Sequence, residues 1–141
     1  MLKKIFFAAV IAVLSGCCCT KNNTPATESD ANETFEIGGR VVEAVISGNF
    51  SDFAAAAGEN SSEKTAKEFS ESRKELIRNY GELCSFRRFG TLQTPLFINI
   101  FYAVKFKRTG SEGQSIEHEQ LMQLLFGRKD DSWQLVGMRF I

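Results

Sequence analysis

The apolar positions of this 141-residue chain change period once, and the change divides it into a helical part and a strand part. Ile37, Val41, Val42, Val45 and Ile46 recur at the spacing of one helical face, and Ser47-Gly48-Asn49 supplies a C-terminal stop. A short second helix beginning at Ser51 covers Asp52 to Ala57 and ends at Gly58. Asn60 followed by Glu63 has the spacing of a capping box, which places a longer helix over Ser61 to Tyr80. Ala66, Phe69, Leu76, Ile77 and Tyr80 form its apolar stripe, and Gly81 is its expected stop. Beyond Gly81, β-branched and aromatic residues predict strands over Leu83 to Thr91, Leu96 to Arg108, Ser115 to Gly127 and Trp133 to Ile141. Polar hairpin loops at 109–113 and 128–132 separate the last three. Helices followed by an antiparallel sheet make an α+β fold.

A register for the central hairpin follows from keeping one face apolar. It pairs Ile98 with Leu124, Ile100 with Met122, Val104 with His118 and Phe106 with Ile116, and it sets Lys105 opposite Glu117 on the other face. Carried into the last hairpin, the same pattern pairs Leu124 with Val136 and Met122 with Met138. The face that stays apolar across three strands is expected to meet the helices. Tyr102, His118 and Gln120 lie on it, with Tyr102 opposite Gln120, and polar groups converging in an apolar setting are the signature of a small-ligand site. The plainer alternative has His118 solvated near the hairpin end while Tyr102 and Gln120 satisfy each other. On the outer face Phe97, Phe101, Leu121 and Leu125 cluster, with Trp133 and Leu135 as additions. So much apolar surface is seldom bare on a monomer, so either a homodimer or a covering segment of the chain is expected there.

The amino-terminal part has a different pattern. Met1-Leu2-Lys3-Lys4 is basic, and Ile5 to Leu14 is an unbroken apolar run of signal-peptide length. As a helix it would rise only about 15 Å, half of a hydrocarbon core, which argues against a permanent span. Leu14-Ser15-Gly16-Cys17 resembles the lipobox of bacterial lipoproteins: an aliphatic residue, two small ones, then the cysteine. That resemblance implies removal of residues 1–16 and attachment of a lipid to Cys17, which fits the pattern better than Cys18. Residues 17–33 then form the lipidated terminus and a polar, flexible tether with Pro25, and residues 34–141 a single domain. Because Cys18 is not aspartate, sorting rules of some diderm bacteria imply attachment to the outer rather than the inner membrane.

Composition narrows the rest. Removal of Lys3 and Lys4 leaves 15 of the 17 basic residues against 17 acidic ones, a net charge of −2, and the basic residues are scattered, so no nucleic-acid footprint is expected. Cys84 alone falls in the folded part, so no disulfide framework is expected, and it reads as a small buried side chain. One histidine rules out a histidine-rich metal site, and neither a phosphate-binding glycine loop nor a nucleophile elbow is present; no cofactor or metal is expected. Gly38-Gly39 read as helix-start glycines.

The order of elements, the Tyr80-Gly81 helix end and the final Asp131-Ser132-Trp133-Gln134-Leu135-Val136-Gly137 resemble the nuclear transport factor 2-like superfamily over Phe35 to Ile141, especially its small exported bacterial domains. The resemblance implies a curved, mainly antiparallel four-stranded sheet wrapped as a cone around N-terminal helices, as in cystatin-like folds, with a pocket inside and dimerisation through the sheet. Superfamily enzymes pair a histidine with a buried carboxylate, whereas here Glu117 and Glu119 face away from His118. No catalytic residue is therefore assigned. The expected function is a non-enzymatic envelope lipoprotein that binds a small apolar ligand or an envelope protein. The alternatives are an enzyme using His118 and Tyr102, and a structural dimer.

Overall fold

The computed structural model describes residues 26–59 and 61–141; the leader, Cys17 and the first part of the polar segment lie outside the described residues. Helix α1 (Glu28–Ser47) begins ahead of the expected domain start at Thr34. The cause is a cap with little apolar signature. The Thr27 hydroxyl accepts the Asp30 N–H at 3.2 Å, while the Asp30 carboxylate accepts the Thr27 N–H at 2.7 Å. Ala31 and Thr34 are buried on the same side, and the Thr34 hydroxyl is satisfied by the Asp30 and Ala31 carbonyls at 2.9 and 3.1 Å.

Gly38 and Gly39 consequently sit inside α1 rather than at its start. A Cβ on Gly38 would stand 2.6 Å from the Tyr102 hydroxyl and 3.2 Å from a Leu124 methyl, whereas one on Gly39 would meet nothing within 4 Å. Helical glycine normally loses to alanine by about 0.5–1 kcal/mol. Gly39→Ala is therefore expected to raise stability by about that amount, and Gly38→Ala to lower it by about 1–3 kcal/mol through overpacking. Urea unfolding of both variants checks the opposite signs.

Helix α2 (Phe50–Ala57) is capped by Asn49, and α3 (Glu63–Tyr80) by Ser62, whose box partner is Thr65. The box is thus not the expected Asn60 and Glu63 pair. Arg73 of α3 donates to the Val45 and Ile46 carbonyls at 2.8 and 2.7 Å, closing the C-terminal end of α1 and tying the two helices together. Phe53 packs on Phe69 with ring centroids 4.8 Å apart, and Phe50 on Phe69 at 5.6 Å, so α2 and α3 share an aromatic contact.

Strands β1 (Glu82–Gln93), β2 (Phe97–Thr109), β3 (Ser115–Lys129) and β4 (Ser132–Phe140) form one antiparallel sheet in sequence order. The fold is α+β, with three helices packed against this sheet, an arrangement compatible with the nuclear transport factor 2-like architecture. The central hairpin pairs Ile98 with Phe126, Ile100 with Leu124, Tyr102 with Met122, Val104 with Gln120 and Phe106 with His118. Each expected partner is displaced by two residues, which preserves the face of every side chain. Bulges in β1, between Leu83 and Ser85 and between Arg88 and Gly90, and one at Leu125/Phe126 against β4 bend the sheet.

The β4 bulge has the larger consequence. Leu124 meets Met138 and Met122 meets Phe140, but past the bulge Phe126 meets Leu135 and Arg128 meets Trp133. Trp133 is buried in the core and Leu135 packs against it, so neither joins the outer apolar face as expected. The turn between β3 and β4 is also tighter than expected. Asp130 and Asp131 have φ of 49° and 64°, the positive values of a two-residue type I′ hairpin, so Arg128 and Lys129 belong to the strand.

Asp30 links the start of α1 to that end of the sheet. Its carboxyl is held below the usual carboxylate range by the Thr27 N–H first, and also by the Trp133 indole and the positive charge of Arg128. The buried Trp133 Nε1 makes no hydrogen bond of ordinary length, so the Thr27 N–H at 2.7 Å is the carboxylate's main partner. A carboxylate with a lower pKa folded than unfolded adds stability that is complete above its unfolded value and is lost as pH falls through the folded one. Asp30→Asn is therefore expected to be less stable than the wild type at neutral pH. The gap should close as pH drops from above 3.8 to below it, as read by urea unfolding at each pH.

Candidate functional site

On the inner face, Ile98, Ile100, Tyr102, Val104, Phe106, Met122, Leu124 and Phe126 are all fully buried beneath the helices. Tyr102 is held by α1. Its hydroxyl donates to the Phe35 carbonyl at 2.9 Å, its ring stacks on Phe35 at 6.0 Å, and Phe86 of β1 meets its edge at 5.6 Å. Arg88 lies over the other contact of this stack, its guanidinium 4.5 Å from the Phe35 ring centroid. Burial pushes the Tyr102 pKa well above the ordinary tyrosine range, partly opposed by Arg88. The hydroxyl remains a protonated donor at neutral pH, engaged with a helix carbonyl.

His118 is half-buried and stacks on Phe106 at 5.6 Å and an interplanar angle of 16°, with the Tyr80 ring at 6.5 Å. It is opposite Phe106, four residues along β2 from Tyr102, so the two side chains stand about 13 Å apart along the strands. Gln120 lies between them, opposite Val104 and half-buried. The three residues share a face, as the alternation implied, but the structure does not gather them around one point. Glu119 pairs with Arg87 at 2.9 Å and Glu117 with Lys105 at 3.3 Å, both on the outer face. Arg87 is what holds the Glu119 carboxyl below its usual range. Among the described residues no group of three His, Cys, Asp or Glu is placed to hold a metal.

The outer face is different. Phe97 is 43% exposed and Val136 42%, while Phe101, Leu121 and Leu125 are half-buried. Phe101 lies opposite Gln123, Leu121 opposite Ala103, and Leu125 between Asn99 and Gly137. A polar chain crosses this surface: Arg139 Nε donates to Gln123 Oε1 at 2.5 Å, and Gln123 Nε2 donates to Asn99 Oδ1 at 2.6 Å. These groups bond to one another, so covering them costs less than covering unpaired ones. Phe89, the inserted residue of the β1 bulge opposite Phe101, and Leu92 extend the exposed apolar surface at 60% and 57% exposure. Phe89, Leu92 and Val136 were not found by alternation. The signal for Phe89 was Arg88-Phe89-Gly90, a bulky residue before a strand glycine.

A cavity of about 550 Å³ also opens between α1 and α2, with Arg40, Glu43 and Asp52 around small Ala55 and Ala56. Cys84, expected in the core, is exposed on β1 and is a free thiol. No helix among the described residues is long and apolar enough to cross a membrane. No protein-family model matches the chain, and no curated protein matches it.

Proposed function

We propose that the chain is an exported bacterial lipoprotein, anchored through Cys17, whose nuclear transport factor 2-like domain works without catalysis by binding protein through the outer face of its sheet. The observation that carries this reading is the contrast between the two faces. The inner one is closed by α1 and fully buried around Tyr102, while the outer one leaves Phe97, Val136 and the half-buried Phe101, Leu121 and Leu125 toward solvent. That contrast favours a protein partner over a small apolar ligand in the cone, and the separation of Tyr102 from His118 gives an enzyme little to work with.

A second copy of this chain is the partner the face suits. Four strands about 4.8 Å apart and about 40 Å long present roughly 770 Å², close to the roughly 800 Å² per partner of a stable complex. Four of its charges are paired in place, Arg87 with Glu119 and Lys105 with Glu117, so these do not oppose self-association. The test is the oligomeric state of the mature chain. A dimer at tens of micromolar supports the reading, and a monomer at every concentration ends it. The anchor has its own test: Cys17→Ser is expected to abolish incorporation of labelled fatty acid and leave the leader uncleaved, and labelling that persists refutes the assignment.

A further inference from the structure

The two ends of the sheet have opposite chemistry. At one end the β2–β3 turn, Gly110-Ser111-Glu112-Gly113-Gln114, is polar. At the other, the β1–β2 turn is Thr94-Pro95-Leu96-Phe97, with Leu96 54% and Phe97 43% exposed and Leu92 next to it at 57%. Part of the backbone of this apolar turn is satisfied within the turn. The Thr94 N–H donates to the Phe97 carbonyl at 2.8 Å, the Phe97 N–H to the Thr94 hydroxyl at 3.1 Å, and Pro95 has no N–H to satisfy. These groups keep their hydrogen bonds when the turn leaves water.

The end with this turn is also the end from which the amino-terminal chain departs. Phe97 pairs with Gly127, and Arg128 with Trp133, so the β1–β2 and β3–β4 turns lie side by side. Asp30, in the first turn of α1, stands beside Trp133 and Arg128, and further along the helix Phe35 and Gly38 meet Tyr102 nearer the middle of the sheet. From Cys17 to Ala26 the chain spans at most about 32 Å, less than the roughly 40 Å length of β2. A lipid on Cys17 therefore holds Ala26, at the end of the domain that carries the apolar turn, within about 32 Å of the bilayer.

We propose that the β1–β2 turn is a second membrane contact, in which Leu96 at its tip enters the interface of the bilayer that holds the Cys17 lipid, with Leu92 and Phe97 at the rim between this contact and the outer face. The inference rests on the lipid-anchor reading. The neighbouring charges are balanced, with Arg128 paired to Asp131 at 3.6 Å and Lys129 next to Asp130, so the contact is apolar and does not require anionic lipid. It also sets the orientation of the domain, strands upright and the polar β2–β3 turn outermost.

The experiment uses the mature lipoprotein in phosphatidylcholine vesicles, as Leu96→Trp and Ser111→Trp variants, with the wild-type emission of Trp133 subtracted. Lipids brominated in the upper acyl chain are expected to quench Leu96→Trp about twofold or more, the depth reached by side chains about 5–10 Å into the interface, and to leave Ser111→Trp unchanged. Raising the salt should not alter the quenching. Mass spectrometry of the amino-terminal peptide reports the lipid separately. If Cys17 carries lipid and Leu96→Trp is quenched no more than Ser111→Trp, the membrane contact is wrong and the anchor stands. If Cys17 carries no lipid, the anchor reading falls and the membrane contact with it.

Discussion

Phe106→Ala is expected to cost about 3–5 kcal/mol of folding stability, a large part of the roughly 5–15 kcal/mol of an ordinary domain. Phe106 is fully buried at the meeting point of α3, β3 and β4. Its ring lies 5.4 Å from Tyr80, 5.6 Å from His118 and 5.8 Å from Phe140, so truncation removes one member of a four-ring contact and leaves space that its neighbours cannot fill. The size of the loss also separates a packed core from a ligand pocket. A side chain lining an open cavity has few contacts to lose, and its removal would cost less than about 1 kcal/mol. Urea unfolding, read from the shift in midpoint at constant slope, makes the measurement. A small loss would reopen the cone interior as a binding site.

Much of this arrangement was legible in the sequence because period is a strong signal. The 3.6-residue stripe of Val41, Val42 and Val45, and the alternation of Ile98, Ile100, Tyr102 and Val104, put each residue on the correct side. The register was less legible, for a physical reason. Lys105 lies directly opposite Glu119 yet reaches the diagonal Glu117 at 3.3 Å, because Glu119 is taken by Arg87 of the edge strand. Opposite charges thus fit both alignments, and only the Arg87–Glu119 contact from β1 decides between them. The bulge at Leu125/Phe126 leaves no mark that alternation can detect, so Trp133 and Leu135 turn to the core where strict alternation puts them outside. Thr27-Asp30 and Ser62-Thr65 cap their helices without the glutamate that makes a box recognisable. The partner of Tyr102 was beyond reach altogether, since the Phe35 carbonyl is 67 residues away and is brought there only by the packing of α1 on the sheet.

The outer face carries the second large effect, on association rather than folding. Phe101 sits near the middle of that face, opposite Gln123 and next to the inserted Phe89. In a sheet-to-sheet dimer a glutamate there would place a carboxylate inside the contact with no partner. Leaving such a charge unpaired costs several kcal/mol, and each 1.4 kcal/mol is tenfold, so Phe101→Glu should weaken self-association at least about a hundredfold. The position is half-exposed in the single chain, so folding stability should change little. Anchoring adds a constraint on the dimer. Two Cys17 lipids can enter one bilayer, with both β1–β2 turns against it, only if the two-fold axis runs along the strands.

Sedimentation equilibrium of the mature chain, wild type beside Phe101→Glu, is the most direct measurement of whether the outer sheet face is the working surface. The wild type should sediment as a dimer at tens of micromolar, and Phe101→Glu as a monomer with unchanged urea unfolding. A wild type that is monomeric throughout, or a Phe101→Glu variant that dimerises as well as the wild type, would contradict the assignment.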